Sequence, residues 1–158
     1  MATYTDTLGY NKGSAEHTAN MPKAYCVSVV MNFADITAAR VAAGATALAN
    51  GDIQQAIQVP AKTYVMQAGI DVTTAEGATQ TFDLGDGSDP DGWLDGVNGN
   101  TAASYAPAKV LAEATPNTIV GYSVGGKYYS AADTIDIVSV NASDTAVVRV
   151  WAVMIDCS

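Results

Sequence analysis

Histidine occurs once in these 158 residues, cysteine twice, phenylalanine twice, and lysine and arginine together only seven times. Each scarcity removes a class of function. The lone His17 lies in a polar N-terminal stretch, whereas a Ser-His-Asp or Cys-His device needs a base held rigidly beside its nucleophile. One histidine and two distant cysteines also make no zinc site. Cys26 and Cys157 have no CxxC spacing, which excludes a disulfide framework. They read as two reduced, buried thiols, with a single staple joining the two ends of the domain as the alternative. Seven basic against 16 acidic residues leave a net charge of -9. Nucleic acid and anionic membranes both demand a basic face, so neither is expected as a partner. No stretch approaches ~20 consecutive apolar residues, the length of a membrane-spanning helix. Residues 1–22 lack the basic start and apolar centre of a signal peptide. The expectation is a product made and kept in a cytoplasm, or released by a route other than the usual secretion. No GxxxxGK[ST] or strand-to-helix GxGxxG occurs. The glycines at 85, 87, 92, 96 and 99 sit among acids that would repel phosphate.

What is present suits one folded domain. Hydrophobic residues make up 49% of the chain and charged residues 15%. That is enough apolar material for a core, although the 28 alanines make much of it small. Residues 1–22 have no sustained period and read as an extended N-terminal arm. Its scattered Tyr4, Leu8, Tyr10 and Met21 are candidate anchors on a neighbouring subunit. Residues 23–158 form the domain. The run AYCVSVVMNF (24–33) predicts a buried strand. Residues 35–49 predict a helix of about two turns, capped by Asp35 and weakened by Gly44. Thereafter the period is two. Ile53, Ile57 and Val59 share one face of a strand over 53–59. In 63–73, Tyr64, Met66, Ala68, Ile70 and Val72 point one way, and Val65, Gln67, Gly69, Asp71 and Thr73 the other.

The turn TAEG (74–77) joins that strand to another over 78–84, with Phe82 and Leu84 inward, as a hairpin. Residues 85–117 read as a long irregular loop. Strands resume near 118–123, at 127–130 after Gly125–Gly126, at 134–140 and at 146–156. The last is apolar on both faces: Val148, Val150, Ala152 and Met154 on one, Val147, Trp151, Val153 and Ile155 on the other. It should lie centrally, or one face should meet another subunit. About eight short strands joined by tight turns predict an all-β fold: an antiparallel β-sandwich, with the jelly roll as one form, one short helix and one long acidic loop.

The densest polar constellation is DLGDGSDPDGWLDG (83–96). Clustered oxygens on a glycine-rich loop are what Ca²⁺ takes, so Asp83, Asp86, Asp89 and Asp91 are candidate metal ligands. The spacing departs from an EF-hand, because Pro90 stands where a ligand is needed. A solvated loop and a docking site for a basic partner stay open beside the ion. A glycosidase pair would need carboxylates on rigid strands in an aromatic-lined cleft, and only Trp93 is near. Trp93 itself would either present a ring to a sugar or partner, or close the loop onto the core.

The stretches VPAKTYVMQAGIDVTTAEGATQTFDLGDGSDPDGWLDGV (59–97) and GGKYYSAADTIDIVSVNASDTAVVRVWAVMID (125–156) resemble small virion proteins of tailed bacteriophages, some of them capsid decoration (cement) proteins. The resemblance rests on a strand-and-turn pattern and carries no catalytic motif. It implies a non-enzymatic structural protein without cofactor that binds the outside of a capsid. Its partners would be the major capsid protein and itself as a homotrimer, after assembly in the bacterial host cytoplasm. The alternative is a binding module, a fibre tip or carbohydrate-binding sandwich, displayed on a virion or cell surface.

Overall fold

Nine strands and one helix account for the regular structure of the computed structural model, which describes residues 23–105, 122 and 125–158. The N-terminal arm, with Tyr4, Leu8, Tyr10 and Met21, lies outside the described residues, as does the strand expected near 118–123 apart from Tyr122, which lies in a turn. The strands are β1 (Ala24–Asn32), β2 (Ile53–Val59), β3 (Thr63–Thr74), β4 (Thr81–Asp86), β5 (Asp89–Asn98), β6 (Ala103–Tyr105), β7 (Lys127–Tyr129), β8 (Asp133–Ser139) and β9 (Val147–Asp156). Helix α1 spans Phe33–Ala42. Two antiparallel sheets result. One runs β1-β9-β3-β6, with β7 also paired to β3, and the other runs β2-β8-β4-β5. The chain passes between the sheets at β1/β2, β2/β3, β3/β4, β5/β6, β7/β8 and β8/β9, which is jelly-roll connectivity.

The core lies between the sheets. Val65, Ala68, Ile70, Val148, Val150, Ala152 and Met154 come from one sheet, and Ile57, Val59, Phe82, Leu84, Leu94, Ile135 and Ile137 from the other. Phe33, at the first position of α1, reaches into this layer and stacks on Phe82 with ring centroids 5.2 Å apart. Alternation along β8 and β9 delivers this set, as the period-two pattern requires.

Several expectations are corrected by the pairing. β1 is not buried: among the described residues it pairs with β9 alone, and only Met31 of its nine residues is enclosed. A continuous apolar run does not distinguish a central strand from an edge. The helix starts two residues before Asp35, and its cap is Asn32, whose Oδ1 accepts the Ala34 N–H at 3.1 Å. β3 holds its expected phase only from Ala68 onward. A bulge between Val65 and Gln67 turns Val65 inward and leaves Met66 47% exposed. β3 and β4 do not form a hairpin. They belong to different sheets, and residues 75–80 cross between them.

The largest correction concerns 85–105, which is not an irregular loop. Asp86 pairs with Asp89 across a tight turn at Gly87–Ser88, and β4 and β5 form a hairpin with two bulges. Pro90 is tolerated because β5 is a sheet edge. Gly85 is required there, since a Cβ would collide with the backbone of Asp89 and Pro90. β9 does lie centrally, between β1 and β3, as its two apolar faces suggest. Cys26 and Cys157 are both free, and both are exposed rather than buried.

Candidate functional site

The acidic segment is organised around one buried carboxylate and one cation. Asp86, at the end of β4, is 1% exposed. Its Oδ1 accepts the Ser88 and Asp89 N–H groups at 2.9 and 3.2 Å, a turn closed by the aspartate's own side chain. Its Oδ2 accepts the Tyr129 hydroxyl at 2.8 Å and forms a short ion pair with Lys127 Nζ. Lys127 also donates to the Tyr122 hydroxyl at 2.8 Å and lies over the Tyr122 and Tyr129 rings. Burial pushes the Asp86 carboxyl up, but the bonds from Lys127, Tyr129 and Ser88 outweigh it and hold the group below its ordinary range. Burial depresses Lys127, and Asp86 and Tyr122 more than reverse this.

The other expected ligands do not gather into one set. Asp83 Oδ1 accepts the Gly96 N–H at 2.8 Å, and burial, with Asp95 and Asp91 adding, raises its carboxyl despite that bond. Asp89 is raised, first by its side-chain hydrogen bond to Asp91 and then by burial. Among the described residues no three His, Cys, Asp or Glu side chains gather in a way that holds a metal ion. Asp83, Asp86, Asp89 and Asp91 therefore supply no common ligand set, and the charge of Asp86 is met by Lys127. Trp93 is fully buried and meets Tyr122 edge-on, with ring centroids 5.3 Å apart. It closes the hairpin onto the core and presents no face to a sugar or partner.

Sequence reasoning missed the most connected polar side chain among the described residues. Glu76, read as part of a turn, is 6% exposed and anchors the β8–β9 connection to the β3–β4 crossing. Its Oε2 accepts from Ser143 Oγ at 2.8 Å and from the N–H groups of Asp144, Thr145 and Ala146 at 3.2, 3.1 and 3.0 Å. Its Oε1 accepts from Thr145 Oγ1 and, at 3.1 Å, from the Gly77 N–H. Burial raises this carboxyl, yet the bonds from Thr145, Ser143 and Ala146 bring it down to about 2. Gln80 and Asn100 extend the network. Gln80 exchanges two hydrogen bonds with the Asn141 backbone, and Asn100 Oδ1 accepts the Gln80 N–H. Three connections are thus tied together at one end of the sandwich. The one sequence signal was a glutamate inside an otherwise small, uncharged turn.

The face suited to contact is the outer side of the β1-β9-β3 sheet. Residues face outward in register across it: Ser28, Trp151 and Gly69 in one row, Val30, Arg149 and Asp71 in the next. Trp151 lies flat across Gly69, where a Cβ would strike the indole. Arg149 Nε donates to Asp71 Oδ2 at 2.8 Å, and a second, short bond joins the same pair. A shallow hollow of about 420 Å³ opens between Cys26, Ser28, Trp151 and Val153 on one side and this ion pair on the other. The arrangement offers apolar area beside one neutralised charge pair.

No family model and no curated sequence matches the chain. Solved structures do match its fold. It superposes on a chain of the acidic stable capsid structure of Helicobacter pylori bacteriophage KHP30 with a TM-score of 0.56 at 10% identity, covering 87% of this chain and 91% of that one. It superposes on a chain of the cyanophage Pam1 capsid asymmetric unit with a TM-score of 0.55 at 11% identity, covering 98% and 96%. A chain of the capsid of Ralstonia phage GP4 gives 0.52 at 12% identity, covering 88% and 86%. At these identities the likeness is one of fold.

Proposed function

We propose that this chain is a non-enzymatic structural protein of a tailed-phage virion that binds the outside of the capsid and reinforces its lattice. The observation that carries this reading is the match, over nearly the full length of both chains, to single chains of three phage capsid structures. The geometry supports it. The polar side chains with many partners, Glu76 and Asp86, are consumed in holding connections together. The outer sheet face around Trp151 is left for contact. The partners are the major capsid protein and further copies of this chain, brought together in the host cytoplasm. Tyr4, Leu8, Tyr10 and Met21 on the N-terminal arm are contacts to the shell or a neighbouring subunit. With Trp93 buried, the sugar-binding alternative loses the residue that motivated it.

The test is stoichiometry in purified particles. A copy number that tracks the major capsid subunits supports the proposal. A number set by the tail's symmetry overturns it in favour of a tail or fibre component. Attachment should also weaken as salt rises, because a chain of net charge -9 meets its partner partly through exposed charges screened over about 8 Å at physiological ionic strength.

A further inference from the structure

Four edges bound the two sheets, and three of them carry features that discourage strand addition. β5 holds Asp89, Pro90, Asp91 and Asp95 and is bulged. β2 is bulged and carries Gln54, Gln55 and Gln58. The edge beyond β3 is covered only by the three-residue β6 and β7. Bulges, proline, charge and shortness are the usual protections of an open edge. β1 has none of them. Its nine residues AYCVSVVMN contain no charge and no proline, and they pair with β9 without a register shift. Among the described residues nothing pairs with its other side. Val30 on this strand is 63% exposed.

We infer that the free edge of β1 is an interface between two copies of this chain, paired antiparallel about a twofold axis near Ser28 so that the two sheets run on as one. Charge selects this occupant. A net charge of -9 opposes approach of two copies except where both surfaces are neutral, and the β1 edge is the long neutral strip. The strip is flanked by exposed Lys23 at its start and exposed Asp35 in the first turn of α1 at its end. Antiparallel self-pairing sets the start of one strand beside the end of the other, so each lysine comes to the partner's acidic end. The same segment then supplies both sides of the contact, as a twofold interface requires. A cyclic threefold places unlike residues together and leaves Ser28 away from its own copy.

Disulfide trapping tests this in the purified full chain. In a Cys26→Ser, Cys157→Ser background, Ser28→Cys puts one thiol near the proposed axis. Directly opposed residues of an antiparallel pair have Cβ atoms about 4.5–5.5 Å apart, close to disulfide reach. Val41→Cys, on the exposed side of α1, is the control in the same background. Under mild oxidation the Ser28→Cys protein should become mostly covalent dimer while the Val41→Cys protein stays mostly monomer. Adding Val30→Lys should suppress the Ser28→Cys dimer at least several-fold without lowering the melting temperature. Equal cross-linking at the two positions, or no response to Val30→Lys, overturns the inference. Cross-linking that appears only after residues 2–20 are deleted also overturns it, and assigns the edge to the chain's own N-terminus. None of these readouts involves particles, so failure here and failure of the shell-binding reading remain separate results.

Discussion

Glu76 and Asp86 show how single side chains set the stability of this molecule. Glu76 faces at least four donors, so Glu76→Gln sets an amide N–H₂ or a weaker oxygen against N–H and O–H groups that need an acceptor. The expected loss is about 2–3 kcal/mol, read by urea unfolding at neutral pH. The pH dependence follows from a carboxyl held at about 2, below its ordinary 4.5. A depressed carboxyl contributes stability that is complete above its unfolded value and lost as pH falls toward the folded one. Wild type should therefore lose about 3 kcal/mol from this group between pH 5 and 2, while Glu76→Gln loses none of that part. Asp136, raised chiefly by burial, acts oppositely and regains stability on protonation, so the contrast between the two proteins is the diagnostic. For the second carboxylate, Lys127→Met leaves Asp86 buried without its cation and should cost about 3–5 kcal/mol. Asp86→Asn together with Lys127→Met should recover part of this, as a thermal-melt double-mutant cycle would register. The lysine was legible as a rarity, since only Lys109 accompanies it between residues 63 and 148. Its partner was not, because Lys127 is 41 positions away from Asp86.

At the scale of elements, hydrophobic period located strands better than it assigned their neighbours. β9 alternates as read, and Phe82 and Leu84 point inward as read. In β3 one extra residue at the bulge reverses the phase of Tyr64 and Met66, a change that no regular template contains. The acidic hairpin escaped because Asp, Gly and Pro argue locally against a strand. Tertiary context overrides that preference: Trp93 and Leu94 are driven into the core from β5, and Gly85 and Gly92 sit where the Asp89–Pro90 backbone and the Tyr122 ring leave no room for a Cβ. Gly85→Ala tests this element directly. Its Cβ meets backbone rather than a movable side chain, so the hairpin should open at a cost of about 3 kcal/mol. Amide exchange should rise in β4 and β5 before it rises in β1 or β9. Because Asp86 is satisfied by Lys127, millimolar Ca²⁺ or EDTA should leave the melting temperature of the wild type unchanged within error.

At the scale of the molecule, the two-layer sandwich was legible from strand count and turn spacing, but its strand order was not. Alternation tells which side of a strand is buried and says nothing about which strand lies beside it. The polar knot of Glu76, Gln80 and Asn100 is what converts an apparent hairpin into a crossing between sheets. The N-terminal arm yields a prediction of its own kind: removing residues 2–20 should leave the sandwich's melting temperature intact but reduce retention on particles. Full retention by the shortened chain would remove the arm from the contact. The position of β9 has a consequence for synthesis. β9, made after the other described strands, lies between β1 and β3, so the sheet has no middle until residues 147–156 have been added. Residues 24–32 must wait, unpaired, for a partner more than a hundred positions downstream, a wait that favours slow closure. A chain terminated early therefore has no folded intermediate that resembles the finished subunit. Translation products that stop before β9 lack the strand that joins β1 to β3.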